Sequence, residues 1–487
     1  GRLCIKRADS QEWEIQEEFP GIPEGTYVQE IQISRYDENT AYVLFNNHKN
    51  GDFAPYILKT TNGGKSWKSI ANDLPQRGSL YALAEDHMES QLLFVGTEFG
   101  VQFTADGGDH WKSLTNGLPT IAVRDLTLQE RESDLVLGTF GRGFYVLDDY
   151  SALRHLTSEN LEKDGFIFPI KDGLFYNESN IGGVSYKGNA YYHASNPEVG
   201  ATFTYSIANL PKSLKDLRKE EEKDSESFAF PSTETLRAEK NEKKTYLLLM
   251  IRDSEGVEVR RLTASASEGI HKITWDGRWA MKGDRVIGSS PMTKINGGPV
   301  ALPGNYSLEI YRVKGGESIL IAGPENFTLN HLNNLSLPAE DESAALAFQQ
   351  KVESIGVKLA DINSVFTDLS KEVTKVENTA RTLPGMPLGV LKEIVSIEEE
   401  LHKIGLKLNN DPIKSAYEIE QSSGLNSRFA NARWSTMYSR SEPTQTAKNE
   451  LAIVEKNAPL LAIQLDQLEM RINEVKDLLH QNGAPKN

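Results

Sequence analysis

The sequence predicts a multidomain chain of all-β propeller blades (a partial β-propeller), then a β-sandwich, then an α-helical bundle. Three observations predict this order. A turn motif ends on Trp67 and again on Trp111, 44 residues apart; the middle of the chain carries alternating strand-like runs; and the C-terminal third steps its apolar residues by three and four. A length of 487 residues fits about three domains.

The repeated turn reads Thr60-Thr61-Asn62-Gly63-Gly64-Lys65-Ser66-Trp67 and Thr104-Ala105-Asp106-Gly107-Gly108-Asp109-His110-Trp111. Short β-like runs lead into each copy: Ala41 to Phe45 and Tyr56 to Lys59, then Leu92 to Thr97 and Val101 to Thr104. A third half-copy, Leu135 to Thr139, echoes Leu93 to Thr97, and the first 17 residues look like the end of an earlier copy. About four short strands in a period near 44 is the pattern of propeller blades. Within the turn, Asn62 or Asp106 is expected to accept hydrogen bonds from its own backbone. Gly64 and Gly108 are expected at positive φ, and Trp67 and Trp111 are expected to pack over the next strand.

From about 151 to 335 the runs Ala201 to Ile207, Tyr246 to Arg252, Gly269 to Trp275 and Asn305 to Arg312 alternate like the strands of a sandwich. A Lys- and Glu-dense stretch, 212–244, interrupts them and reads as a solvated insertion. From 336 to 487 three seams appear: Phe348 to Leu383, Leu391 to Leu408 and Leu451 to Leu479. Their spacing predicts an antiparallel three-helix bundle. Pro459 predicts a kink or break near Asn457, and the polar stretch from Ser422 to Ser441, with Trp434, is expected as the long connection.

Composition narrows the function. The net charge of -16 argues against a nucleic-acid partner, whose phosphates need a basic face. No stretch approaches the ~18 apolar residues of a membrane span. One cysteine, Cys4, excludes an internal disulfide framework. Nine histidines form no ligand spacing, so no metal or other cofactor is expected. The chain opens Gly-Arg-Leu-Cys, with its first Met at Met88. We expect it to be the C-terminal portion of a longer protein, with further blades in front and an unpaired blade edge near residues 1–60.

The two turns resemble the Asp-box, or bacterial neuraminidase repeat. The run Val123-Arg124-Asp125-Leu126 through Leu135 to Phe144 and on to Leu147-Asp148-Asp149 resembles the last blade of bacterial sortilin-like proteins, often labelled glycosyl hydrolases. Many members have His where this chain has Phe140. Asn196 to Ala201, Gly269 to Arg278 and Gly298 to Tyr306 follow that family's order, and the region is similar to an immunoglobulin-like (Ig-like) β-sandwich. The resemblance implies an exported protein. True sortilins carry a cysteine-rich module that this chain lacks, so their receptor role does not transfer.

Thr60, Asn62, Gly64 and Trp67, with Thr104, Asp106, Gly108 and Trp111, are expected to be structural. Ligands of propellers sit near the axis, so Glu98, Phe99, Arg124, Phe140 and Arg142 are the candidate binding residues. An arginine there suits a carboxylate; bracing of neighbouring blades through Asp125 or Glu98 is the competing role. No catalytic residue stands out, because nothing singles out the two carboxylates that a glycosidase holds about 5–10 Å apart. The expected function is non-catalytic recognition of a protein, peptide or glycan, with the later domains as scaffold. The alternatives are a sialidase-like glycoside hydrolase whose catalytic residues lie mostly in missing N-terminal blades of the same parent chain, and a structural or adhesion module.

Overall fold

The computed structural model describes residues 1–7, 11–177, 194–223, 230–282, 298–332, 334–437 and 439–484. The chain forms two compact units. The first comprises Gly1–Pro169, Thr204–Asn209 and Glu268–His271; the second comprises Ile170–Phe203, Leu210–Ser267 and Lys272–Asn487.

In the first unit, β1 (Leu3–Lys6) and β2 (Trp13–Gln16) form a hairpin. Next comes a four-stranded antiparallel meander of β3 (Tyr27–Ile33), β4 (Ala41–Asn46), β5 (Tyr56–Thr60) and β6 (Lys68–Ser69). The same path repeats in β7 (Leu80–Glu85), β8 (Leu93–Thr97), β9 (Gly100–Thr104) and β10 (Lys112–Leu114). A third sheet has three strands, β11 (Val123–Gln129), β12 (Asp134–Thr139) and β13 (Phe144–Leu147). The short α1 (Ser158–Leu161), capped by the Thr157 side chain, and β14 (Gly165–Ile167) follow.

These blade-like sheets stack because both faces of their middle strands are apolar. Tyr42, Leu44 and Ile57 of the first sheet pack with Leu83, Leu93 and Val95 of the second. Phe94 and Phe103 then pack with Leu126, Leu135 and Leu137 of the third. Each fully buried side chain of this size contributes about 1.5–3 kcal/mol, far more than the β-propensity of any one residue. The leading strands become neighbours, β3 beside β7 and β7 beside β11.

The rest of the chain adds β15 (Gly173–Phe175), β16 (Ala201–Ile207), α2 (Leu214–Lys223), α3 (Thr233–Asn241), β17 (Tyr246–Asp253), β18 (Glu258–Ser265), β19 (Gly269–Trp275), β20 (Gly304–Lys314) and β21 (Glu317–His331). A five-stranded sheet runs in the order β15-β21-β20-β17-β18, with β15 parallel to β21 and the other pairs antiparallel. The rings of Tyr306 and Phe327 in this sheet stack on each other and cluster with Phe203 and Trp275, which meet them edge-on or tilted. The charged insertion holds two helices, tied by Arg218 of α2 to Glu239 of α3 at 2.5 Å. Its residues 224–229 lie outside the described residues.

Each of the three apolar seams is helical: α4 (Glu342–Thr382), α5 (Gly389–Leu408) and, after α6 (Pro412–Ala416) and α7 (Leu425–Met437), α8 (Gln445–Gln481). Asp341 caps α4 through Ala344 N at 2.9 Å, and Thr444 caps α8 through Ala447 N at 3.2 Å, each satisfying an orphan first-turn donor. Two expectations are corrected. The segment expected as a long connection contains α7, which packs on the bundle through Leu425, Phe429 and Ala432 and adds polar contacts: Arg433 pairs with Glu353 at 3.1 Å, both buried, and Gln349 donates to Thr436 O at 2.8 Å. Trp434 of α7 is exposed. In addition, the helix does not break near Asn457: α8 runs unbroken through Pro459. The buried Val454, Ala458, Leu461 and Leu465 on either side hold the helix where the proline alone would end it.

Candidate functional site

Each leading strand carries one extra residue near its start. Pairing skips from Val28 to Glu30 in β3, from Leu80 to Ala82 in β7 and from Val123 to Asp125 in β11. The bulged residues are therefore Gln29, Tyr81 and Arg124, at equivalent places on three neighbouring strands. A bulge bends its strand and re-aims a side chain. Gln29 Nε2 donates to Tyr81 O at 3.3 Å. The Arg124 guanidinium lies 3.6 Å from the centre of the Tyr81 ring and 5.3 Å from that of Phe140.

Glu98 completes the group. The Tyr81 hydroxyl donates to Glu98, and Arg124 Nη2 lies 3.7 Å from Glu98 Oε2. Burial, with Glu98 beside it, pushes the Tyr81 hydroxyl above its ordinary value, so it stays a donor. The turns are built to hold this geometry. Glu98 N donates to Ser79 O at 3.1 Å, and Phe140 N donates to Ala122 O at 2.9 Å. Thr139 Oγ1 closes the second turn onto Gly143 O at 2.6 Å, with Gly141 and Gly143 at φ 88° and 70°. Of the candidates, Glu98, Arg124 and Phe140 thus converge. Phe99 is exposed on the same turn as Glu98. Arg142 is exposed and makes no hydrogen bond or ion pair among the described residues.

A carboxylate lies nearby on the same strands. Burial raises the Glu30 carboxyl, a hydrogen bond from Leu83 N opposes this, and the charge of Asp125 adds to the rise.

The repeated turns sit at the other end of the sheets, since Thr60 lies across from Ala41 whereas Tyr56 lies across from Phe45 beside the first bulge. Thr60 Oγ1 donates to Asn62 Oδ1 at 2.9 Å, and Ser66 N donates to the same oxygen at 3.0 Å. Thr104 Oγ1 and His110 N contact Asp106 Oδ1 at 2.7 and 2.9 Å. Gly64 and Gly108 have φ of 82° and 103°. The tryptophans correct one expectation. They reach back to the preceding repeat, Trp67 Nε1 to Gln16 Oε1 at 3.0 Å and Trp111 Nε1 to Ile70 O at 2.9 Å. A groove of about 860 Å³ beside the first turn, lined by Arg2, Glu17, Lys65 and Trp67 among others, brings no set of polar groups to one point; Arg2 and Glu17 pair with each other at 3.0 Å.

Sequence reasoning missed Gln29 and Tyr81. The signal available was the unbroken run Leu80-Tyr81-Ala82-Leu83-Ala84, in which the two-residue alternation of a strand fails.

No helix of the described residues is long and apolar enough to cross a membrane, and the described residues hold no group of three metal-ligating side chains. No family model matches the chain, and no curated protein matches it. Solved structures are similar only at a low level. YCF48 bound to D1 peptide shows 19% identity over 28% of this chain and 44% of that one, with a TM-score of 0.21. The GH74 xyloglucanase from Xanthomonas campestris shows 11% identity over 68% and 51%, TM-score 0.24. The extracellular domain of a putative hybrid two component system from B. thetaiotaomicron shows 11% identity over 63% and 31%, TM-score 0.19. The chain thus spans about half or less of the length of these structures, and similarity at this level defines no family for it.

Proposed function

We propose that this chain is a recognition module that binds a protein, peptide or glycan, without chemistry, at the bulged end of its blade-like sheets. One observation carries the reading: three equivalent bulges align Gln29, Tyr81 and Arg124, with the Arg124 guanidinium stacked on a buried ring and flanked by Phe140. A guanidinium held flat on a ring keeps its N–H edge for a ligand carboxylate or hydroxyl. The stacking itself is worth about 0.5–2 kcal/mol, and Glu98 both accepts from the tyrosine hydroxyl and pairs with Arg124 at 3.7 Å.

In this reading the repeated turns are Asp-boxes with structural roles, residues 1–150 form part of a propeller, and the Ig-like sandwich (151–335) and the helical bundle (336–487) are scaffold. Further blades of a parent chain would cover Tyr27, Ile31 and Ile33, which β3 leaves exposed. Export of the protein follows the same family resemblance.

A second reading, glycoside hydrolysis, is favoured by the raised Glu30 carboxyl beside Asp125, since such enzymes pair a protonated acid with a second carboxylate. Peptide and glycan arrays probed with the wild type and Arg124→Ala test the proposal. Binding by the wild type that falls at least tenfold in the variant supports it. Equal binding by both contradicts it, and release of reducing sugar from array glycans, lost in Glu30→Gln, favours the second reading.

A further inference from the structure

We propose that α8 associates with α8 of a second copy of this chain, antiparallel, through Ile453, Leu460, Ile463 and Met470. These four side chains are 37%, 54%, 55% and 60% exposed. They lie on the face of α8 away from its buried seam of Val454, Ala458, Leu461, Leu465 and Leu468. Single exposed apolar residues are ordinary. A stripe of four on one helix face is not, and marks a contact surface.

The spacing identifies the occupant. From 453 the stripe steps by 7, 3 and 7 residues to 470, which reads the same in both directions. An isologous contact places the same surface of each copy against the other, residue i against j and j against i. Run antiparallel about an axis between residues 461 and 462, Ile453 meets Met470 of the second copy and Leu460 meets Ile463 of the second copy. Every apolar residue of the stripe then meets another. The intervening layer sets Lys456 against Gln467, a layer beyond the stripe sets Asn449 against Glu474, and the flanks set Asn457 against Gln464 and Asp466 against Pro459. No like charges face each other, and the Lys–Gln layers oppose slippage as single polar core positions do in coiled coils. A parallel pairing would instead set Lys456 against Lys456. The stripe is about 26 Å long at ~1.5 Å per residue, so the interface is small and the dimer reversible. The seam faces the other way, so pairing leaves the helical core closed.

Sedimentation equilibrium of the full chain from 1 to 500 μM tests this. The expected result is a mass rising with concentration from 54.2 kDa toward twice that value. Leu460→Glu with Ile463→Glu, with an unchanged melting curve, is expected to remain monomeric throughout. Gln467→Glu sets the introduced carboxylate against Lys456 only in the antiparallel register, and is expected to tighten the dimer severalfold. A monomer at every concentration, association unaffected by the double substitution, or weakening by Gln467→Glu would each overturn the proposal.

Discussion

Arg154 grips Asp86 with two hydrogen bonds, Nε to Oδ2 at 2.8 Å and Nη2 to Oδ1 at 2.9 Å. The Asp86 side chain is fully buried, and Tyr150 adds a third hydrogen bond at 2.6 Å. This network ties the segment after β13 to the corner between β7 and β8, and so holds the third sheet against the second. Arg154→Met leaves a buried carboxylate without its cation and is expected to destabilise the first unit by about 3–5 kcal/mol. Adding Asp86→Asn should restore part of that loss; urea unfolding followed through the first unit's transition measures both. Burial alone would raise the Asp86 carboxyl, but the hydrogen bonds from Arg154 and Tyr150 outweigh it and the group sits below its ordinary value. Its contribution is therefore present above about pH 4 and lost as the pH falls through the lowered value.

His331 has the opposite chemistry. Its ring nitrogens lie 3.0 Å from Ala301 O and 3.2 Å from Glu342 Oε2. Burial pushes its pKa down; Glu342 opposes this and Arg440 reinforces it. The folded protein therefore favours neutral His331, and the stability this confers is full above about pH 6.5 and falls as the pH drops through that value. The difference in melting temperature between pH 7.5 and pH 5.5 should be smaller in His331→Gln than in the wild type.

Gly108 sits at φ 103°, and a Cβ there would lie 2.8 Å from Ile70 Cβ. Both the backbone and the neighbour resist a side chain, so Gly108→Ala is expected to cost about 1–3 kcal/mol. Gly117, at φ 77° with nothing within 4 Å, carries only the backbone part of this cost. Thermal melts of the two alanine variants should rank Gly108→Ala clearly lower.

Pro459 is exposed inside an unbroken α8. Pro459→Ala restores a backbone donor without disturbing the core and is expected to stabilise the helix by up to about 3 kcal/mol. A melting temperature at or below that of the wild type would contradict this.

The same proline shows what the sequence makes legible. The seam residues Leu451 to Leu479 announce their helix because their period is regular over many turns. The proline is a local signal, and the summed burial on both sides outweighs it. The strands Ala201–Ile207 and Gly269–Trp275 match their expected spans because alternation and glycine boundaries coincide there. Strand β21, 15 residues long, went unread because Gly323, Pro324 and a run of polar residues interrupt its pattern. Helix α7 was hidden for another reason: its buried face mixes Arg433 and Thr436 with Leu425, Ala432 and Met437, and the partners of Arg433 and Thr436 on α4 lie about 80 residues away in sequence. At the candidate site, Arg124 and Phe140 were visible as residue types near turns. Tyr81 was not, since a bulge is set by pairing between strands and leaves only a broken alternation.

The central claim is that the bulged row forms a binding surface. The most direct measurement takes the tightest-binding array ligand and compares its dissociation constants for the wild type, Arg124→Ala, Phe140→Ala and the control Arg131→Ala. Arg131 is exposed and, among the described residues, pairs with its neighbour Glu132 at 2.9 Å. The account predicts at least tenfold weakening, about 1.4 kcal/mol, for Arg124→Ala and Phe140→Ala, with no change for Arg131→Ala. Equal affinity across all four proteins would contradict it.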